Sequence, residues 1–152
     1  MCACCGLLSI YLPILIRPNS HCAFYQEAFR DEPGITFMPE AAYGRTNRWL
    51  TCILVEPHVF GATREDIRLH LEAHNIESRP VWKPLHLQPI FQHCRVVGGR
   101  IAEALFDQGL CLPSGSNLSE QELQVIAETL LSTPRQYAVT HHAALPTGMR
   151  DQ

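Results

Sequence analysis

Trp49-Leu50-Thr51-Cys52-Ile53-Leu54-Val55 is a continuous apolar and β-branched run, bounded by the polar stretch Gly44 to Arg48 on one side and by Pro57 on the other. Such a run reads as a central strand buried on both faces, because a strand with one wet face alternates apolar with polar residues instead. Upstream of it, Phe24, Tyr25, Ala28 and Phe29 recur at helical spacing before the turn Asp31-Glu32-Pro33-Gly34, and Ile35 to Met38 offers a short strand. Downstream, Thr63 and Asp66 form a capping box for a helix that carries Ile67, Leu71 and His74 on one face and stops near Asn75. Gly98 to Gln108 reads as a helix closed by Gly109, Leu110 to Leu112 as a strand, and Ser114-Gly115-Ser116-Asn117 as a turn. Ser119 and Glu122 cap a last helix with Leu123, Ile126, Ala127 and Leu130 at i, i+3, i+4 and i+7. Helices and strands that alternate without an internal repeat predict an α/β or α+β layer domain.

The chain has 152 residues, 46% of them hydrophobic and 18% charged, which fits one compact core. Twelve Lys plus Arg against fifteen Asp plus Glu give a net charge of -3. No basic excess exists to neutralise a phosphate backbone, so nucleic acid is not the expected partner. Lys83 is the single lysine beside eleven arginines, which leaves one side-chain primary amine for any chemistry that needs one. Cys2, Cys4, Cys5, Cys22, Cys52, Cys94 and Cys111 are odd in number and irregular in spacing, and no cleavable secretory signal precedes them, so we expect a reduced, cytoplasmic setting.

Residues 1–20 look foreign to the rest. Gly6 to Ile16 is nearly all apolar but is broken by Pro13 and falls short of the roughly 20 apolar residues that a membrane span needs. We expect a disordered leader over 1–20, a folded domain over 21–132 and a flexible tail over 133–152, with no membrane association.

His70 and His74 stand at i, i+4 on one helix face, but the order H-x-E-x-H leaves the glutamate out of the position that a zinc protease gives its general base. Cys2, Cys4 and Cys5 with His21-Cys22 have suitable ligand types without a C-x-x-C knuckle, and His141-His142 falls in the tail. No metal site is expected.

The stretch Glu77-Ser78-Arg79-Pro80-Val81-Trp82-Lys83-Pro84-Leu85-His86-Leu87-Gln88-Pro89 carries three prolines, which exclude a continuous helix and disfavour an interior strand. It reads as an extended loop. Arg79 offers a planar fork of donors for phosphate or carboxylate, Trp82 a flat face for a sugar or base, and His86 a donor or acceptor near neutral pH. A loop stiffened by proline loses less entropy on binding. The same residues also fit a surface loop in which Trp82 and Leu85 cap the core while Arg79 and His86 are solvated.

A family resemblance runs from about Phe24 to Ser132. The run Gly44-Arg45-Thr46-Asn47-Arg48-Trp49-Leu50-Thr51, then Gly61 to Asp66, then Asn75 to Pro89, then Gly109-Leu110-Cys111-Leu112-Pro113-Ser114-Gly115-Ser116-Asn117-Leu118, resembles the C-terminal part of DegT-type sugar aminotransferases. It looks closest to the subgroup that acts on UDP-linked 4-keto sugars. The resemblance implies the small C-terminal domain of a fold type I enzyme, a short mixed or antiparallel sheet flanked by helices. It also implies pyridoxal phosphate (PLP) as cofactor and a nucleotide-linked keto sugar as substrate in the intact family. In that family a large N-terminal domain supplies the Schiff-base lysine, the carboxylate at the pyridinium nitrogen, the stacked aromatic and most phosphate contacts, and none of those motifs is present here. Lys83 lies in a Trp-Lys-Pro loop outside the family's lysine motif.

The resemblance therefore implies a truncated aminotransferase, inactive alone and without its own PLP, whose substrate-side residues are Arg79, Trp82 and His86, with Asn47, Ser114 and Asn117 behind them. The alternative is a noncatalytic nucleotide-sugar-binding or dimerisation module, and in both cases the partner is the missing large domain or a homologous subunit. A domain meant to pack on another should expose an apolar patch.

Overall fold

The computed structural model describes residues 20–137. The chain is helical over residues 20–28 (α1) and continues through β1 (Ile35–Phe37), β2 (Thr51–Val55), α2 (Pro57–Phe60), α3 (Arg64–Ala73), β3 (Arg79–Pro80), α4 (Arg100–Gln108), β4 (Gly109–Leu112) and α5 (Glu120–Leu131). Two 3-10 turns, Leu85–Leu87 and Pro89–Phe91, interrupt the proline-rich segment. The strands form one sheet in the order β1-β2-β4-β3, antiparallel throughout. This is the α/β domain with a short antiparallel sheet that the sequence implied.

β2 is central, but it is not buried on both faces as its unbroken apolar run suggested. Thr51, Ile53 and Val55 are buried while Cys52 and Leu54 are only half-buried. An antiparallel sheet can leave one face partly open, and here the covering helices take one side. Tyr25 and Phe29, Ile67 and Leu71 of α3, and Leu123, Ile126 and Leu130 of α5 form a single cluster with Ile53, Val55, Leu110 and Leu112. Each such side chain contributes roughly 1.5–3 kcal/mol when fully buried.

Both capping boxes form. Thr63 N–H donates to Asp66 Oδ2 at 2.8 Å while Asp66 N–H donates to Thr63 Oγ1 at 3.1 Å. Ser119 N–H and Oγ both donate to Glu122 Oε2, at 2.7 and 2.8 Å, and Glu122 N–H returns to Ser119 Oγ. Every residue placed on the buried stripe of α5 is buried.

Three sequence expectations are corrected. His74 is exposed rather than on the apolar face of α3, because the helix ends at Ala73 and the chain turns through Asn75 at φ 60. Ile76 N–H then bonds back to Leu71 C=O at 2.9 Å. The helix expected from Gly98 starts at Arg100, because Gly98 and Gly99 hold φ of 72 and 110, though it is closed by Gly109 as expected. Gly109 opens β4 with φ -86 and ψ 131, and is glycine because a Cβ there would stand 2.3 Å from Leu105 O and 2.5 Å from the Val81 side chain. The loop over 77–89 is not wholly irregular either, since Arg79–Pro80 pairs with β4 as an edge strand, the place in a sheet where proline costs no ladder bond.

The chain also stays attached beyond Pro134, where its periodicity dissolves. Thr133 is buried, and Gln136 and Tyr137 N–H both donate to Gly61 C=O, at 2.7 and 3.0 Å. The Arg135 guanidinium lies 3.6 Å from the centre of the Phe60 ring and 3.0 Å from Glu32 Oε1. Residues 1–19 and 138–152, with Cys2, Cys4, Cys5, His141 and His142, lie outside the described residues.

The Ser119 backbone and side-chain hydrogen bonds hold the Glu122 carboxyl below its ordinary pKa. A lowered carboxyl contributes stability that is complete above the ordinary glutamate range and fades as pH falls through the lowered value. Urea midpoints measured from pH 6 downward should therefore fall with acid more steeply in the wild-type chain than in Glu122→Gln; parallel curves would remove the charged cap from the stability of α5.

Candidate substrate groove

Three local features build the exposed side of the sheet. The β2–β4 register sets Cys52 opposite Cys111, and the β3–β4 register sets Arg79 opposite the same Cys111. Directly opposed residues in antiparallel strands point to one face, so Arg79, Cys111 and Cys52 follow one another across the side away from the core. Pro80 and Pro84 bracket the segment that carries Trp82 beside Trp49, with ring centroids 6.1 Å apart and planes inclined at 33°. Both indoles are largely solvent-exposed, at 63% and 65%.

Grooves open on either side of Trp82. One, of about 280 Å³, is lined by Arg79, Trp82 and Ser114 with Leu50, Glu77 and Cys111 among its other walls. A smaller one, of about 160 Å³, has Arg48, Trp49, Cys52 and Trp82 on its walls. Ser114 also borders a third groove of about 530 Å³, shared with Asn117, Asn75 and Val125.

Of the residues singled out in the sequence, Arg79, Trp82 and Ser114 thus meet in one groove and Asn117 flanks it. Asn47 and His86 line none of these grooves. Asn47 Oδ1 accepts from Trp49 N–H at 3.3 Å, a local turn contact beside the indole. His86 Nε2 meets Glu103 Oε1 at 2.7 Å and so ties the first 3-10 turn to α4. The turn at Leu85–Leu87 interrupts the expected extended segment and swings His86 away. Trp49 is the residue that sequence reading missed, because it was absorbed into the strand; it stands two residues ahead of β2, beyond the last ladder pair.

The chemistry of the groove follows from these contacts. Arg79 pairs with Glu77, Nη2 to Oε1 at 2.5 Å, and both side chains are more than 70% exposed. An exposed pair of this kind is worth little, so the fork is available to an anion that displaces Glu77. Ser114 is committed to the framework. Its buried hydroxyl accepts from Thr51 N–H at 2.8 Å and donates to Leu112 C=O at 2.9 Å, bridging the end of the β2–β4 ladder. The neighbouring Pro113 carbonyl accepts from Tyr25 OH at 2.9 Å, which anchors the loop to the first helix. Lys83 is exposed and lines none of these grooves.

The metal candidates do not converge. The His70 and His74 rings lie 4.7 Å apart, but His70 Nε2 is spent on Ser132 Oγ and His74 Nδ1 on the His70 carbonyl. Among the described residues no group of three or more His, Cys, Asp or Glu side chains could hold a metal ion. Among the same residues no helix is long and apolar enough to cross a membrane.

Residues 14–131 match the DegT/DnrJ/EryC1/StrS aminotransferase family. The chain belongs to that family. The match begins inside the stretch that composition set apart as foreign and ends at the last residue of α5. Among family relatives, EpsN of Bacillus subtilis (strain 168), whose name describes a pyridoxal phosphate-dependent aminotransferase, is 43% identical over 111 residues, covering 70% of this chain and 28% of EpsN. GDP-perosamine synthase of Caulobacter vibrioides is 37% identical over 68 residues, which cover 45% of this chain and 18% of the synthase. Among solved structures, DesI with its TDP-sugar product superposes with a TM-score of 0.72 at 21% identity, over 82% of this chain and 32% of DesI. At that identity the likeness is one of fold. The chain spans less than a third of the length of each of these proteins.

Because Ser114 Oγ satisfies a buried N–H, Ser114→Ala should lower stability by about 1–3 kcal/mol, whereas the exposed Asn117→Ala should stay within about 0.5 kcal/mol. Denaturant midpoints of the two variants check this, and equal midpoints would mean that Ser114 is not the bridge described.

Proposed function

We propose that the chain corresponds to the small C-terminal domain of an aminotransferase acting on a nucleotide-linked keto sugar, a truncated form that is inactive by itself. The observation that carries this reading is the meeting of Arg79, Trp82 and Ser114 in one solvent-open groove of a chain that belongs to the sugar aminotransferase family. Trp82, with Trp49 beside it, offers a face on which a base or sugar ring stacks. Arg79 offers the donor fork that a diphosphate takes in two-point fashion. Asn117 borders the adjoining groove, and Ser114 holds the wall between the two.

PLP, when bound in this family, supplies the electron sink for moving an amino group. The described residues do not fit it. The single lysine is exposed between Trp82 and Pro84 and lines none of the grooves, so the amine that the cofactor's aldehyde needs stands apart from Arg79 and Glu77, the charged pair of the Trp82 groove. No step of the reaction is therefore assigned to this chain. Its part is to present the groove to a nucleotide sugar held against a large domain or a homologous subunit, in the cytoplasm. The names of the relatives span GDP- and TDP-linked sugars; a UDP-linked keto sugar follows from the motif resemblance.

A noncatalytic binding or dimerisation module is the second reading. Exposed apolar side chains favour it, with Ile90 at 68%, Val97 at 84% and Ile101 at 79% open to solvent. Such residues are what a covering partner would bury.

Incubation with PLP, borohydride trapping and peptide mass spectrometry tests the absence of a cofactor site, and no specific adduct is expected at Lys83. Saturable, stoichiometric labelling of Lys83 would overturn the reading. In parallel, a UDP titration should quench the emission of the two tryptophans saturably, and Arg79→Ala should weaken that binding several-fold; unchanged emission would remove the groove from nucleotide recognition.

A further inference from the structure

Cys52 and Cys111 face each other across the two central strands, with Sγ atoms 3.5 Å apart. Successive residues of a strand send their peptide groups to alternate sides. Val81 N–H donates to Gly109 C=O at 3.1 Å, so Gly109 and Cys111 address their peptide groups to β3, and Leu110 and Leu112 address theirs to β2. Cys52 and Cys111 are therefore a non-hydrogen-bonded pair, the kind in which Cα atoms approach to about 4.5 Å. That separation lies inside the range of about 4.4–6.8 Å that a disulfide tolerates. The pair is also reachable. Cys52 is half-buried on the wall of the Trp49–Trp82 groove, and Cys111, itself buried, borders the Arg79–Trp82 groove.

We propose that Cys52 and Cys111 are a dithiol modification site, oxidised by a low-molecular-weight disulfide of the glutathione class to a cross-strand disulfide beneath Trp82. In the first step the Cys52 thiolate attacks one sulfur of the small disulfide, forming a mixed disulfide and releasing one small thiolate. Cys111 then loses its proton and attacks Cys52 Sγ, forming the Cys52–Cys111 bond and expelling the second small thiolate. The protein gives up two protons and two electrons, and one small disulfide becomes two thiols. The order of attack follows from the surroundings. The hydrogen bond from Cys111 pulls the Cys52 thiol below its ordinary pKa, while the same bond and burial push Cys111 up. The thiolate is the attacking species, and accessibility sets which sulfur meets the oxidant. Cys22 is a poor competitor, because burial raises its pKa and shields it.

The fully reduced chain, incubated with oxidised glutathione, blocked with N-ethylmaleimide and digested without reductant, should give a Cys52–Cys111 linked peptide and leave neither of these two cysteines labelled by maleimide. Dithiothreitol should restore both. Cys111→Ser should instead retain glutathione on Cys52 as a stable mixed disulfide, because the resolving thiol is gone. Recovery of both cysteines as maleimide adducts, linkage of Cys52 to Cys22 or Cys94, or a glutathione adduct that persists on Cys52 of the wild-type chain would each overturn the proposal. Should Cys111→Ser fail to fold, the wild-type linkage decides the matter alone.

Discussion

The pairing of β2 with β4 is the constraint on which the rest of the domain depends. It brings together segments more than fifty residues apart and sets Ile53 against Leu110 at the centre of the buried face. Chain closure over that distance costs conformational entropy before any contact repays it. The repayment comes from the helices that seal one face of this pair and from the Ser114 hydroxyl that finishes the ladder where the strands part. The two thiols on the open side are positioned by the same register, since a slip of one residue would exchange the faces.

The asymmetry of the sheet gives the domain its two characters. One face is a packed core of side chains from α1, α3 and α5, while the other carries half-buried Cys52 and Leu54 beside buried Cys111; α4 touches both central strands, yet none of its residues is fully buried. The edge beyond β4 is finished by a strand of two residues ending in proline, which cannot extend pairing to another chain over any length. The edge is thus blunt, and the open face remains the side from which another surface can approach.

Much of this architecture was legible in the sequence because it rests on local rules. Thr63 with Asp66 and Ser119 with Glu122 announce helix starts by side-chain chemistry three residues apart, and the stripe of α5 follows from its period. What the sequence hid was set by tertiary context. A run such as Trp49 to Val55 does not say whether a second layer covers it, so one open face was read as two closed ones. The role of Gly109 lies in the approach of Leu105 and Val81 rather than in its own torsions, which a single-residue rule cannot see. The groove was half visible: Arg79, Trp82 and Ser114 stand out by residue type and motif, yet His86 is carried off by a turn within the same proline-rich segment. Trp49 enters only because the fold folds it back on Trp82.

The strap formed by Thr133 to Tyr137 bears on where this domain ends. The family match ends at residue 131, and a boundary drawn there would strip the guanidinium from the Phe60 ring, leave the Gly61 carbonyl without its two donors and free Glu32 from its counter-charge. A chain cut after Leu131 would thus lose the contacts by which Thr133 to Tyr137 hold Phe60, Gly61 and Glu32 to the end of α5.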